Sequence, residues 1–193
     1  MLSAIISAKN SERRLVPTLS ALVPAAAAGL LAEVVVADGG SLDATAEVAD
    51  IAGCRFTSST EALGIRLKAA AATVRSPWLL FLRAGAVPQP GWIDAAEQFI
   101  QTAGLMDDVG RAGVFRLPGP ASVARPGFAE VVAAVRAALA GGPRPEQGLL
   151  IARRLYDTIG GHSAGDDAEA DILRQLGRRH LVMLPAAVTI AVT

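Results

Sequence analysis

The stretch EVVVADGG, residues 33–40, decides the fold class. It is a short apolar run that closes with Asp38 and two glycines. A run that is apolar on both faces is typical of a central parallel strand with helices covering each side of the sheet. In the segment that follows, SLDAT (41–45), either Ser41 or Asp43 is a suitable N-cap for a helix. The whole segment therefore predicts a strand, a turn and a helix.

The same alternation continues on both sides of this unit. Apolar runs predict further strands at LSAIISA (2–8), CRF (54–56), WLLFL (78–82) and VFRL (114–117). Helical spacing of apolar residues predicts a helix capped by Asn10 or Ser11, and others at about 60–75, 91–103 and 127–140. This order predicts a three-layer α/β/α sandwich with a mostly parallel sheet. Composition does not shift along residues 1–193, which indicates a single domain.

The overall composition excludes several classes of function. The 18 basic and 18 acidic residues cancel, so no bulk charge favours nucleic acid or an anionic membrane. The single cysteine, Cys54, rules out an internal disulfide and suits a reducing compartment. No apolar stretch is long enough for a transmembrane segment, and none has the features of a signal peptide. We therefore expect a cytoplasmic protein with no nucleic-acid partner and no transmembrane segment.

Candidate binding residues follow the predicted strands, because open parallel sheets bind ligands outside the carboxyl ends of their strands. Asp38 could accept hydrogen bonds from a ribose or a base, while the glycine after it lets a ligand approach the backbone. Asp38 could equally cap its own turn and Asp43 the next helix, and spacing does not decide between these interpretations. The candidates at the strand ends are Asn10, Glu12, Asp38, Gly39, Asp43 and Arg83.

A second group of candidates lies in the acidic segment GDDAEAD, residues 165–171. Acidic residues at a helix start are stabilised by the helix dipole, and a general base facing a cleft would also be well placed there. His162, in the preceding glycine-rich turn, is interpreted as a polar surface residue, with a functional role as the alternative. Neither His162 nor His180 has the i,i+4 partner of a zinc-binding helix.

Taken in order, several segments resemble the family-2-type inverting glycosyltransferases of GT-A fold, and most closely their short bacterial branch. They are SAIISAKNSERRL, EVVVADGGSLDAT, ALGIRLKAAAATVRSPWLLFLRAGAVPQPGW, GVFRL, and EQGLLIARRLYDTIGGH followed by DDAEADILRQLGRRHLVMLP. The match covers most of the chain in the correct order. It implies a single GT-A domain with a nucleotide-binding half (1–90) and an acceptor-side half (91–193).

The resemblance also implies an activity. The family transfers a sugar from a nucleotide-diphosphate donor to an acceptor hydroxyl, here unknown, with inversion of the anomeric carbon. Asp38 would hold the nucleoside and Asp43 would support that pocket. Arg66 or Lys68 would lie near the diphosphate, and Asp167 or Glu169 would take the proton of the acceptor.

One departure from the family concerns its metal. The family binds Mg²⁺ or Mn²⁺ through an Asp-x-Asp turn, which here reads Arg83-Ala84-Gly85 and offers no oxygen ligand. We therefore expect no metal ligands, with Arg83 as a substitute because its guanidinium presents a fork of donors to phosphate oxygens.

Two other interpretations remain open. The first is a catalytically silent GT-A-like domain that binds a nucleotide or a protein partner. The second is a sugar nucleotidyltransferase. It is disfavoured because the loop after the first strand lacks glycines. Under any interpretation, the Ala/Val-rich helix at 127–140 could pair two copies as a homodimer.

Overall fold

The computed structural model describes residues 1–105, 110–118 and 142–191. Within these ranges, eight strands form one sheet in the order β3-β2-β1-β4-β7-β6-β8-β5. The strands are β1 Leu2–Ala8, β2 Leu31–Asp38, β3 Arg55–Ser58, β4 Trp78–Arg83, β5 Ala86–Pro88, β6 Ala112–Arg116, β7 Leu149–Ala152 and β8 Leu181–Ile190. The helices are α1 Glu12–Ala27, α2 Thr45–Ile51, α3 Leu63–Thr73, α4 Trp92–Leu105, α5 Arg153–Thr158 and α6 Ala168–His180, with a short 3₁₀ helix at Pro145–Gln147.

The four strands β3, β2, β1 and β4 are mutually parallel, and the central strands β1 and β4 are buried on both faces along nearly their whole length. Successive side chains of a strand point to opposite faces. Accordingly, Ile6 packs in a core cluster with Leu15 of α1, whereas Ile5 packs in a second cluster with Leu67 of α3 and Ile172 of α6. Two apolar layers on one sheet explain the continuous apolar runs, and they confirm the predicted α/β/α sandwich.

The other half of the sheet is mixed. Strand β7 is antiparallel to β4 and β6, β8 is parallel to β6, and β5 is antiparallel to β8. The sequence predicted neither the edge strand β5, which has only three residues, nor the antiparallel pairing of β7. The helices expected at 60–75 and 91–103 are confirmed as α3 and α4. The helix expected at 127–140 lies outside the described residues.

No helix within the described ranges combines the length and apolar character needed to cross a bilayer.

Close backbone packing joins the start of α3 to the loop before α6. The N–H of Gly64 donates to the carbonyl of Gly165 at 3.0 Å. A Cβ atom built on Gly64 would lie 1.6 Å from the carbonyl oxygen of Ser163 and 2.6 Å from the Cβ of Ala168. Only glycine therefore allows this approach, which places the beginning of α6 over the sheet.

We predict that Gly64→Ala destabilises the protein by about 1–3 kcal/mol or more, because backbone atoms must move to admit the methyl group. Gly104→Ala is the matched control, since Gly104 lies in α4 and its Cβ would meet nothing within 4 Å. There the same change should stabilise by up to about 1 kcal/mol through helix propensity. Urea denaturation measures both free energies of unfolding. Equal values for the two variants would contradict the packing described.

Candidate functional site

Strands β1, β2 and β4 end side by side at one edge of the sheet. Ala8 pairs with Asp38, and Ser7 pairs with Arg83. Asp38 and Arg83 therefore stand two strand spacings apart, or about 10 Å. The residues predicted from the strand ends are brought to a common edge, where ligands bind in open parallel sheets.

The loop after β1 and the loop after β2 are held together by reciprocal hydrogen bonds. The N–H of Glu12 donates to Asp43 Oδ2, and the N–H of Ala44 donates to Glu12 Oε2, both at 3.1 Å. The N–H of Leu42 donates to Asn10 Oδ1 at 2.9 Å. These bonds satisfy backbone donors that the starts of α1 and α2 leave unpaired. Asn10, Glu12 and Asp43 thus build the two loops.

The start of α2 differs from the prediction. Its N-cap is Ala44, not Ser41 or Asp43. The carboxylate of Asp43 instead accepts from the N–H and hydroxyl of Thr45 as well as from α1. For α1, the N-cap is Ser11, one of the two predicted residues.

Asp38 is buried, with 1% of its surface exposed. Its carboxylate accepts the N–H groups of Gly40 and Ser41 at 2.9 Å, the hydroxyl of Ser58 at 2.8 Å, and the hydroxyl of Ser41. Burial by itself would raise the pKa of Asp38, but these bonds outweigh it and lower the pKa. A carboxylate has about four acceptor positions, so this one is fully used by its own turn and by Ser58 of β3.

Two cationic side chains enclose Gly39. A Cβ atom at this position would lie 3.2 Å from the guanidinium carbon of Arg66 and 3.2 Å from Cδ of Lys9. Arg66 is held by its Nη1–H, which donates to the carbonyl of Ala37 at 2.8 Å. Among the described residues no carboxylate forms an ion pair with either cation. The sequence reasoning missed Lys9, although its position directly after β1 was the available signal.

Arg66 and Lys68 lie on different sides of α3, because two residues along an α-helix are separated by about 200°. Lys68 lines a cavity of about 220 Å³ together with Arg153 and Tyr156. The structure therefore brings Arg66, and not Lys68, to the turn after β2.

At the end of β4, Arg83 contacts two carboxylates. Its Nε–H donates to Glu169 Oε2 at 2.5 Å and its Nη1–H to Glu146 Oε1 at 3.0 Å. The side chain of Arg83 is 40% exposed, whereas that of Glu169 is 8% exposed. The hydroxyl of Ser7 also donates to Glu169, at 3.3 Å. Burial raises the pKa of Glu169, and the neighbouring guanidinium offsets this only in part.

Of the two acids predicted as bases, only Glu169 reaches Arg83. Asp167 is the N-cap of α6 and is exposed. Its neighbour Asp166 accepts the N–H of Leu63 at 3.1 Å and so ties the two helix starts together.

His162 is buried, so its interpretation as a surface residue is wrong. It is 3% exposed and packs edge-on against Phe81, with ring centroids 4.6 Å apart. Its Nδ1 lies 2.9 Å from the hydroxyl of Tyr156. Burial lowers the pKa of His162 to about 4, so the imidazole is neutral at neutral pH.

The residues around Arg83 do not fit a divalent cation. The nearest carboxylates, Glu146 and Glu169, both pair with its guanidinium, whose positive charge would repel a metal ion. In the described part of the chain no three His, Cys, Asp or Glu side chains are grouped to hold one. Mg²⁺ and Mn²⁺ require several oxygen ligands, which this set does not provide.

A parallel-strand edge with basic side chains beside it is the place where open α/β sheets bind ligands. The sequence profile of glycosyl transferase family 2 matches residues 3–115, more than half of the chain, and the chain belongs to that family. No curated protein matches the chain.

Solved structures support the fold. A crystal structure of glucosyl-3-phosphoglycerate synthase from Mycobacterium tuberculosis, with Mn²⁺, UDP and glucosyl-3-phosphoglycerate, has a TM-score of 0.67 and 20% identity, covering 98% of this chain and 70% of that one. A second, with Mn²⁺, UDP-glucose and phosphoglyceric acid, has a TM-score of 0.67 and 18% identity over 100% and 72%. The structure of a mycobacterial protein has a TM-score of 0.66 and 20% identity over 100% and 68%. The chain therefore has the GT-A fold.

The raised pKa of Glu169 predicts how stability depends on pH. An acid whose pKa is higher in the folded state contributes stability at low pH and loses that contribution as the pH rises through the folded value. The free energy of unfolding of the wild type, relative to Glu169→Gln, should therefore fall as the pH rises from below 4.5, the ordinary value, to neutrality. Urea denaturation at several pH values measures it. Glu47→Gln, at an exposed position, is the control and should show no such trend. A difference that grows with pH would contradict the assignment.

Proposed function

We propose that the protein transfers a sugar from a nucleotide-diphosphate donor to an acceptor hydroxyl with inversion, and that Arg83 takes the place of a metal ion at the diphosphate. The observation that carries this proposal is the contact between a partly exposed guanidinium and a buried carboxylate at the carboxyl edge of β4. The transfer needs both groups, since the leaving diphosphate requires positive charge and the hydroxyl requires a base. Membership of glycosyl transferase family 2 supports it.

The donor would lie along the strand edge, with its nucleoside against the turn after β2. Asp38 would act by holding that turn, and Asn10, Glu12 and Asp43 by fixing the loops around it. Lys9 and Arg66, on either side of Gly39, would supply positive charge to the diphosphate together with Arg83. In this proposal residues 1–90 form the nucleotide-binding half and residues 91–193 the acceptor side.

Glu169 would act as the general base. Its raised pKa makes it a stronger proton acceptor than an ordinary glutamate. The carboxylate takes the proton of the acceptor hydroxyl while that oxygen bonds to the anomeric carbon. The bond from the anomeric carbon to the diphosphate oxygen breaks, and its electron pair stays with the diphosphate. A single displacement from the opposite face inverts the anomeric carbon.

Arg83 must exchange a partner to bind the diphosphate. Its pair with Glu146 is the one suited to exchange, because both side chains are more than a third exposed and such surface pairs contribute only about 0–1 kcal/mol. Release of Glu146 would free Nη1–H, and the diphosphate could then be bound by two parallel N–H donors. The pair with Glu169 could persist until the base is needed.

One observation favours a second function, a catalytically silent domain that binds a nucleotide or a protein partner. Two carboxylates already surround the single guanidinium of Arg83. If they hold it permanently, the nucleotide would bind at the turn after β2 but no transfer would follow. The homodimer through 127–140 and the cytoplasmic location stay predictions.

Catalysis by Glu169 predicts a clear difference between two acidic positions. Glu169→Gln should lower the release of UDP from UDP-glucose by about 10²-fold or more, the usual contribution of a general base, with little change in UDP affinity. Asp167→Asn, the matched control on the same helix start, should retain activity. A coupled assay for nucleotide release, with UDP-glucose and GDP-glucose as donors, measures both. Loss of activity in Asp167→Asn alone would contradict the assignment. If the wild type binds UDP but does not release UDP from UDP-glucose, the result would favour the catalytically silent domain.

The basic residues beside Gly39 predict a second difference. Lys9→Ala and Arg66→Ala should each weaken UDP binding by about 10-fold or more, because a hydrogen bond to a charged group contributes about 1.5–3 kcal/mol. Lys68→Ala removes the same charge two residues from Arg66 and should leave the affinity unchanged. Calorimetric titration gives the affinities, and thermal denaturation checks that each variant is folded. An equal loss in Lys68→Ala would mean that bulk charge, and not this turn, binds the nucleotide.

A further inference from the structure

His162 carries a buried polar atom that the proposed mechanism leaves unused. In the described part of the chain, Nε2 of this residue is the one buried side-chain nitrogen or oxygen atom without a hydrogen-bond partner. Buried polar groups in folded proteins are nearly always paired, so an unpaired one calls for a specific explanation.

Hydrogen-bond accounting assigns the tautomer. The backbone N–H of His162 donates to the hydroxyl oxygen of Tyr156 at 3.3 Å. The same hydroxyl lies 2.9 Å from Nδ1 of the His162 ring. If the tyrosine donates its proton to Nδ1, every group of this pair is satisfied except Nε2–H. In the other tautomer, both the tyrosine proton and Nε2 would lack partners. The proton of the imidazole is therefore assigned to Nε2, which makes that atom a donor.

His162 and Glu169 line the same small cavity. The cavity has a volume of about 10 Å³, close to the minimum that a single water molecule needs. Its other side chains are apolar, among them Phe81, Ile172 and Leu173. The carboxylate of Glu169 is thus the acceptor side chain available to Nε2–H, and its bonds to Arg83 and Ser7 leave acceptor positions free.

We infer that His162 is a positioning residue for Glu169: its Nε2–H donates through one water molecule to the carboxylate and holds it toward the acceptor hydroxyl when Arg83 turns to the diphosphate. The inference rests on the proposed function, because it assigns Glu169 the part of the base. A neutral donor suits this part, since it fixes the carboxylate without taking its charge.

Four other polar or charged side chains face Glu169 or His162. Arg83 reaches Glu169 from β4, Glu146 faces it from the 3₁₀ helix, and Ser7 faces it from β1. Tyr156 faces His162 from α5, and burial raises the pKa of that phenol to about 12, so it stays protonated. Substitutions at His162 leave these groups in place. A change in the titration of Glu169 would therefore report the loss of the donor.

The test is carbon-13 NMR titration of the Glu169 carboxyl in glutamate-labelled protein, with Glu169→Gln to assign its signal. His162→Phe removes the donor and should raise the pKa of Glu169 by about one unit. His162→Gln places an amide donor near the same point and should restore most of the original value. Ile172→Val, which trims the same cavity without removing a donor, is the matched control and should leave the pKa unchanged. Equal values in His162→Phe and Ile172→Val would overturn the inference.

A second measurement needs no substitution at His162. Long-range proton–nitrogen correlation NMR of the wild type should show the Nε2–H tautomer, and the Nδ1–H tautomer would overturn the inference even if His162→Phe fails to fold. Neither experiment requires a nucleotide. Calorimetry with UDP on the same samples reports separately on the proposed function, so that the failure of one is distinguishable from the failure of the other.

Discussion

The carboxylates of Asp38, at the end of β2, and Glu169, at the start of α6, are buried at the carboxyl edge of the sheet and have to be satisfied almost without water. Asp38 meets this requirement with three hydrogen bonds from its own turn and one from Ser58 of β3. Glu169 meets it through Arg83 and Ser7. A buried carboxylate without such partners would be strongly destabilised. Among the residues that the structure describes, Nε2 of His162 is the one buried side-chain nitrogen or oxygen atom that remains without a partner.

An arginine is a physically reasonable replacement for a metal at this edge. A divalent cation needs several oxygen ligands, whereas a guanidinium brings its own donors and is held here by two carboxylates. The guanidinium supplies only one positive charge, whereas the diphosphate carries more than one negative charge. Lys9 and Arg66, on either side of Gly39, would make up the difference, and a Cβ atom at position 39 would crowd both of them.

The layers of the fold were predictable from the sequence because continuous apolar strands and periodic helices reflect burial directly. The helix predicted at 60–75 also separates Arg66 from Lys68, because two residues along a helix lie about 200° apart. Other features depend on contacts distant in sequence. The bonds that Asp43 makes to α1, the burial of His162 behind Phe81, and the choice of Glu169 over Asp167 arise only once loops from different parts of the chain meet. Residue types and spacing do not predict those tertiary contacts.

In the proposed function, arginine and lysine side chains bind the diphosphate without a metal ion. Calorimetric titration of UDP and GDP into the wild-type protein, first with EDTA and then with Mn²⁺, tests it most directly. We expect one of these nucleotides to bind with the same affinity in both conditions. Binding that requires Mn²⁺ would contradict it, because the donor site would then depend on metal ligands that the arrangement around Arg83 does not provide.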